Sequence, residues 1–415
     1  MDTMAINLKK PLIYVTRDIE RALGMKPGIH GAAGYFIISN DTAYGREARD
    51  RYGDFVRLIA SGDAPHKGDL DTYDLLCLPD AQKIIDDIGG DIIVFQNTLR
   101  IERLAAEKGW RLLNPSALLA KTVEEKISQI GWLGDDARLL PPFCLATVSE
   151  IEYAGKRFVL QFNHAHTGQG THVIDSAEAL APLRTKFPHR ECRITDFIDG
   201  PVFTVNAVIG SGRHAASVVI GEPSYQITGL APFTDMPFAT IGNDWALAAA
   251  SRYEGVRVEM TSIAQAVGAR LKKSGWKGLF GIDVVYDPAV KKTYLLEINA
   301  RQPASAVFES QAATNADSSS PTIFEDHVMA LLGEPLRISP DSGRRPLAAA
   351  QIVKRATDRP HSVDVARLRA RGLIVLKYEN TAHNKELFRI QAAEGIMKDH
   401  NELDVLGKFI SSCIR

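Results

Sequence analysis

Cysteine is scarce in this chain. The four residues Cys77, Cys144, Cys192 and Cys413 are widely separated and form no C-x-x-C pair. That spacing excludes the common zinc and dithiol motifs and leads us to expect a reducing compartment, the cytoplasm. No apolar run is long enough to span a bilayer, so neither a membrane helix nor a membrane partner is expected. The run Pro11–Val15 behind Lys9 and Lys10 is too short for a secretory signal. Neither sign of charge is in excess: 49 Lys+Arg stand against 50 Asp+Glu, a formal net charge of −1. Nucleic acid is therefore not an expected partner. No internal repeat is evident.

What the chain does have is an ordinary globular balance, 45% hydrophobic and 24% charged over 415 residues. That length predicts several structural units. The most informative stretch runs from Lys277 to Ser305. Gly278–Tyr286 and Thr293–Ala300 are rich in β-branched and aromatic residues, and Asp287-Pro288 between them is a turn signal. Alternation along a strand places Leu295, Glu297, Asn299 and Arg301 on one face, with Tyr294, Leu296, Ile298 and Ala300 in the core. With residues 288–292 as the loop, Asp287 opposes Thr293 and Asp283 opposes Glu297. Like charges facing each other in a hairpin are unfavourable, so this register calls for a cation between them. Mg²⁺ fits, being a hard cation with oxygen ligands. An edge hairpin with solvated charges is the other reading of the same spacing.

Asp283 followed by Glu297-Ile298-Asn299-Ala300-Arg301 resembles the metal-binding strand pair of the ATP-grasp superfamily, and the order of the remaining segments extends the likeness over most of the chain. The implied fold class is α/β (α+β). Residues 1–118 would form a pre-ATP-grasp α/β domain, 119–340 the ATP-grasp domain in two subdomains with a nucleotide cleft between them, and 341–415 a small β-rich C-terminal domain. Within the first unit, Leu12–Thr16, Tyr35–Ser39, Phe55–Ile59, Asp91–Gln96 and Trp110–Leu113 read as strands, with a helix over Leu99–Lys108. Gly28, Gly31 and Gly34 precede a strand and do not follow one, so they are not a dinucleotide fingerprint.

The second unit is expected to open with a helix capped by Thr122 and Glu125. The resemblance places Lys126 there, against the nucleotide phosphates. Arg157–Phe162 and His172–Ile174 read as strands around the loop His164–Thr171. Gly168, Gly170 and Thr171 are similar to the mobile glycine loop that closes over the triphosphate. Gln161 stands where the family usually has a lysine, and His164 and His166 are candidates to replace its charge. A zinc site at His164, His166 and His172 is unlikely chemistry, because no carboxylate or cysteine lies beside them. Asp196-Phe197-Ile198 resembles the hinge strand that pairs with the adenine edge. Val202 stands where a ribose-binding Glu is common, with Asp199 as its stand-in. A helix is expected from Ser262 to Ser274. Residues 221–243 read as an irregular acceptor-side wall or lid, and 302–322 as a segment wrapping the site.

The implied activity is ligation. A carboxylate is activated by ATP as an acyl phosphate, ADP leaves, and an amine displaces phosphate. Asp283, Glu297 and Asn299 would hold Mg²⁺, with Mn²⁺ as an alternative, and Arg301 would stabilise the acyl phosphate or the tetrahedral intermediate. The expected partners are small-molecule carboxylates and amines, and a homodimer is admitted. Two other readings stay open: a non-catalytic or regulatory ATP-binding protein, and an ATP-dependent carboxylase or kinase.

Overall fold

The computed structural model describes residues 8–26, 34–60, 70–163, 170–211, 218–338, 346–358, 362–379 and 383–414. At the N-terminus four short strands, β1 (Leu12–Val15), β2 (Tyr35–Asn40), β3 (Val56–Ile59) and β4 (Asp91–Val94), run parallel in the order β3-β2-β1-β4. Helices α1 (Ala43–Tyr52), α2 (Thr72–Cys77), α3 (Pro79–Ile88) and α4 (Leu99–Lys108) connect them. Side chains start three of these helices: Thr42 caps α1, Asp71 and Asp74 form a capping box on α2, and Thr98 caps α4. The return strand expected over Trp110–Leu113 shrinks to one parallel bridge, Ile92 to Leu112. The Asn114 side chain takes over that edge, bonding Val94 N at 2.8 Å and Val94 O at 2.7 Å.

Two short helices follow, α5 (Ala117–Glu124) and α6 (Ser128–Leu133). The expected Thr122–Glu125 capping box does not form. Thr122 lies inside α5 and its hydroxyl donates to the Leu118 carbonyl at 3.0 Å. Helix α5 ends at Glu124, which leaves Lys126 in the break before α6.

A four-stranded antiparallel sheet comes next. Strands β5 (Phe143–Thr147), β6 (Phe158–Phe162), β7 (Thr171–Ile174) and β8 (Glu191–Asp196) lie in the order β5-β8-β6-β7. Helix α7 (Ala177–Lys186), capped by Ser176, covers one face through Leu180 and Leu183, against Leu160, Phe162 and Cys192. Alternation then turns Gln161 and Arg193 to the opposite face. Gly168, His164 and His166 lie outside the described residues.

The rest of the chain builds a nine-stranded sheet and a two-stranded antiparallel ribbon, Met397–Asp399 with Glu402–Leu403. The strands of the sheet are β9 (Val202–Ile209), β10 (Val218–Ile220), β11 (Ser224–Thr228), β12 (Thr240–Asp244), β13 (Gly278–Asp287), β14 (Lys292–Asn299), β15 (Ala350–Arg355), β16 (Ile374–Lys377) and β17 (Glu386–Ala392). The order is β14-β13-β9-β11-β12-β15-β17-β16, with β10 paired to β9. The segment 221–243, expected as a lid, contributes β11 and β12 to the middle of this sheet. Ser-Tyr-Gln-Ile-Thr is a good strand sequence, and Tyr225 and Ile227 are fully buried. Strands from 341–415 continue the same sheet through the antiparallel pair β12–β15.

Helices α8 (Trp245–Ala248) and α9 (Glu254–Lys273) precede β13, so the helix expected from Ser262 begins eight residues earlier. The cap of α8 is Asp244, whose carboxylate accepts from Leu247 N at 2.8 Å. Helix α10 (Ala306–Ala316) occupies the segment expected only to wrap the site. Helices α11 (Ile323–Leu332), α12 (Val365–Ala370) and α13 (Val405–Ser412) complete the fold. The main core packs α9 on the sheet, with Met260, Ala264, Val267 and Leu271 against Phe203, Phe280 and Ile282. No described helix is long and apolar enough to cross a membrane.

Candidate functional site

The site is assembled on β13 and β14. Their loop is Pro288–Lys291, one residue shorter than expected, so Asp287 opposes Lys292 and not Thr293. The Asp287 carboxylate accepts from Ala289 N at 2.9 Å, and Lys291 takes φ 53, the left-handed conformation such a turn requires. A bulge between Val284 and Asp283 then restores the lost residue on β14, and Asp283 faces Glu297 as expected. The same bulge reverses the parity of Leu295. It packs in the core with Ile298 and Ala300 and does not share the Glu297 face.

Asp283 accepts hydrogen bonds from the Thr204 hydroxyl at 2.6 Å and the Asn299 amide at 3.2 Å. Burial, and then the facing Glu297 charge, push its carboxyl up to about 6. Burial acts upward on Glu297 too, but the Lys126 and Arg301 charges outweigh it and hold that carboxyl below its ordinary value. Lys126 Nζ lies 3.1 Å from Glu297 Oε1. Arg301 donates from Nη2 to Asn299 Oδ1 at 2.8 Å and from Nη1 to Glu124. Arg301 is steadied from behind. Gln302 bonds Tyr14 Oη at 2.7 Å and the Arg21 carbonyl at 2.8 Å, tying the loop after β14 to the N-terminal sheet.

Asp283, Glu297, Asn299, Arg301 and Lys126 are thus gathered in one cluster of contacts. Gln161 sits across on β6, opposite both Thr171 and Arg193, and its amide donates to the Thr171 hydroxyl at 3.5 Å. The Gly170 carbonyl accepts from Phe162 N at 2.9 Å. Asp196, Phe197 and Ile198 lie at the far end of β8, and no described hydrogen bond or ion pair links them to the carboxylate pair. Asp196 pairs with Lys156 at 3.0 Å. Phe197 stands edge-on to Phe238, with the Arg157 guanidinium 4.6 Å from its ring centre.

Two features were not picked out from the sequence. One is Arg193, 2% exposed, whose Nε and Nη2 donate to Gln161 Oε1 at 3.0 and 2.7 Å and whose Nη1 donates to Gln129 Oε1 at 3.1 Å. In the linear sequence it is one of several polar residues in β8, and nothing there sets it apart. The other is a polar row across the large sheet. Gln226 donates to the Thr204 hydroxyl at 3.1 Å, Asn243 to Ser224 at 3.1 Å, Gln351 to Asn243 at 3.3 Å and Arg389 to Gln351 at 3.3 Å. Its signal was hidden because β11 and β12 fell in a segment read as irregular.

The fold is shared with solved structures of low sequence identity. An L-amino acid ligase from Bacillus licheniformis superposes with a TM-score of 0.63 at 14% identity, over 98% of each chain. N5-carboxyaminoimidazole synthase from Aspergillus clavatus, in complex with ADP and 5-aminoimidazole ribonucleotide, gives 0.62 at 14% identity, over 92% of this chain and 94% of that one. N5-carboxyaminoimidazole synthetase from Staphylococcus aureus, complexed with ADP, gives 0.61 at 11% identity, over 96% and 95%. No protein-family model matches the chain, and no curated protein matches it by sequence.

Proposed function

We propose that this protein is an ATP-dependent ligase that activates a small carboxylate as an acyl phosphate and joins it to an amine. The observation that carries the reading is the Asp283–Glu297 pair, with Asn299 beside it and the cations Lys126 and Arg301 around it. Two carboxylates and an amide oxygen form an all-oxygen donor set, which fits Mg²⁺ or Mn²⁺. The upward push on Asp283 from burial and from the facing Glu297 charge fits as well, since a bound cation would relieve it. Bound metal would neutralise charge on the phosphates and help align them for transfer.

The chain's own residues do the rest. Lys126, released from Glu297 when metal arrives, would turn its ammonium to the phosphates. Gly170 and Thr171, at the start of β7, would bring backbone N–H groups to the same phosphates. Arg301, oriented by Asn299 and Glu124, would receive the negative charge that develops as the amine attacks. The hinge backbone at Phe197 and Ile198 would receive the adenine edge. The cysteines are free thiols, in keeping with a reducing cytoplasm.

The test is ADP formation from ATP with Mg²⁺ across a panel of amino acids, small carboxylates and amines, including 5-aminoimidazole ribonucleotide with bicarbonate. A carboxylate–amine pair that releases ADP in step with a ligated product is the expected result. Glu297→Gln should abolish that turnover with its unfolding transition unchanged. ADP formation by Glu297→Gln at the wild-type rate under limiting Mg²⁺ would overturn the assignment. Tight ATP binding without turnover on any pair would favour a regulatory nucleotide-binding role.

A further inference from the structure

Arg193 is a buried cation that no carboxylate neutralises. Each of its three hydrogen bonds ends on a neutral amide oxygen, two on Gln161 and one on Gln129. Among the described residues no Asp or Glu lies within ion-pair distance of it. A buried charge without a counter-charge is costly, and such groups are normally paired. The other two cations of the site have partners: Lys126 is 3.1 Å from Glu297, and Arg301 is bonded to Glu124. The nearest opposing charge felt by Arg193 is Glu297.

The surroundings hold the guanidinium in place and leave its charge intact. Gln129 is fully buried, and its own amide is fixed by the Val123 carbonyl at 2.8 Å, so its oxygen must face Arg193. Gln161 is the direct cross-strand neighbour of Arg193, and its oxygen accepts from two of the guanidinium nitrogens. Both sit on the face of the small sheet turned away from the α7 core, and on that side the Arg193 charge interacts with Glu297. A cation held by the Asp283–Glu297 pair would offset the pull of Glu297 on Arg193.

We propose that Arg193, held by Gln161 and Gln129, is a phosphate anchor of this protein, supplying the fixed positive charge for a phosphate group of the bound nucleotide. This rests on the ligase reading of the same cleft. The family's lysine position, filled here by Gln161, has not lost its charge; the charge has moved one strand across, to β8. Gln161 serves as the holder of the cation.

Calorimetric binding of ADP with Mg²⁺, alongside competition by adenosine, tests the proposal. Arg193→Gln should weaken ADP at least tenfold and leave adenosine unchanged, because adenosine has no phosphate. The double variant Gln161→Lys with Arg193→Gln returns a cation to the same cross-strand pair and should recover most of the ADP affinity. Gln129→Glu leaves the guanidinium in place but sets a carboxylate against Nη1. It should also weaken ADP selectively, and it carries the test should Arg193→Gln fail to fold. Unchanged ADP affinity in folded Arg193→Gln or Gln129→Glu, or an equal loss of ADP and adenosine, overturns the phosphate role while the ligase reading stands. A wild-type protein that binds neither ADP nor ATP overturns both.

Discussion

Lys126 and a bound metal cation would compete for Glu297. The Lys126 ammonium neutralises Glu297 across 3.1 Å. With metal and nucleotide present it would face a phosphate instead. A unit charge about 4 Å from a phosphate contributes about 4 kcal/mol at an effective dielectric near 20, before desolvation is subtracted. Lys126→Met should therefore weaken ADP binding at least roughly tenfold, which corresponds to ~1.4 kcal/mol. The gap should narrow as salt rises. Calorimetry at low and high ionic strength checks this, and a salt-independent gap would argue that Lys126 acts through packing. At this scale Glu297, Asn299 and Arg301 were readable because they share one short motif, and Asp283 because the hairpin sets it opposite Glu297. Arg193 was not, because its meaning depends on Gln129, which lies 64 positions away in sequence.

At the scale of elements, the β13–β14 hairpin shows how local irregularity is absorbed. A four-residue loop plus one bulge gives the same Asp283–Glu297 pairing as a five-residue loop with none. Strand β12 shows the reverse, a place with no slack. A Cβ on Gly242 would sit 2.1 Å from the Gln351 carbonyl oxygen and 3.0 Å from Ile352 Cα, both backbone atoms of β15. Gly242→Ala should part β12 from β15 and cost about 1–3 kcal/mol or more, as overpacking does. The urea midpoint measures it. The hydrogen bond from Gln351 to Asn243 would break with it, so the polar row should suffer before the carboxylate pair.

The whole molecule carries an acid sensitivity that is separate from the site. His327 on α11 is 4% exposed, and its Nδ1 accepts from Leu279 N at 2.9 Å, joining α11 to the start of β13. Burial, with the Lys277 charge nearby, lowers its pKa from 6.5 to about 3. Between those values the unfolded chain binds a proton that the folded chain does not. Stability must therefore rise with pH across that window and fall as pH drops below 6.5. The loss from this group alone is about 2 kcal/mol at pH 5. His327→Gln keeps an acceptor for Leu279 N but cannot titrate, so its urea midpoint should fall less than that of the wild type between pH 7 and pH 5. Equal falls would mean that other groups set the acid limb.

The sequence by itself determined the elements whose signals are local. These were the two strands of the β13–β14 hairpin, the four strands of the N-terminal sheet and the helix over Leu99–Lys108. Each depends on residues within one strand or one helical turn, where periodicity and capping act. Tertiary structure alone decided what depends on pairing between distant segments. It drew β11 and β12 into the middle of the large sheet, because their neighbours β9 and β15 supply the hydrogen bonds that their own sequence leaves open. It ended α5 before Lys126 and turned that ammonium onto Glu297. It set Arg193 between two amides from other elements, because a buried charge takes its meaning from what surrounds it in space and not from its neighbours along the chain.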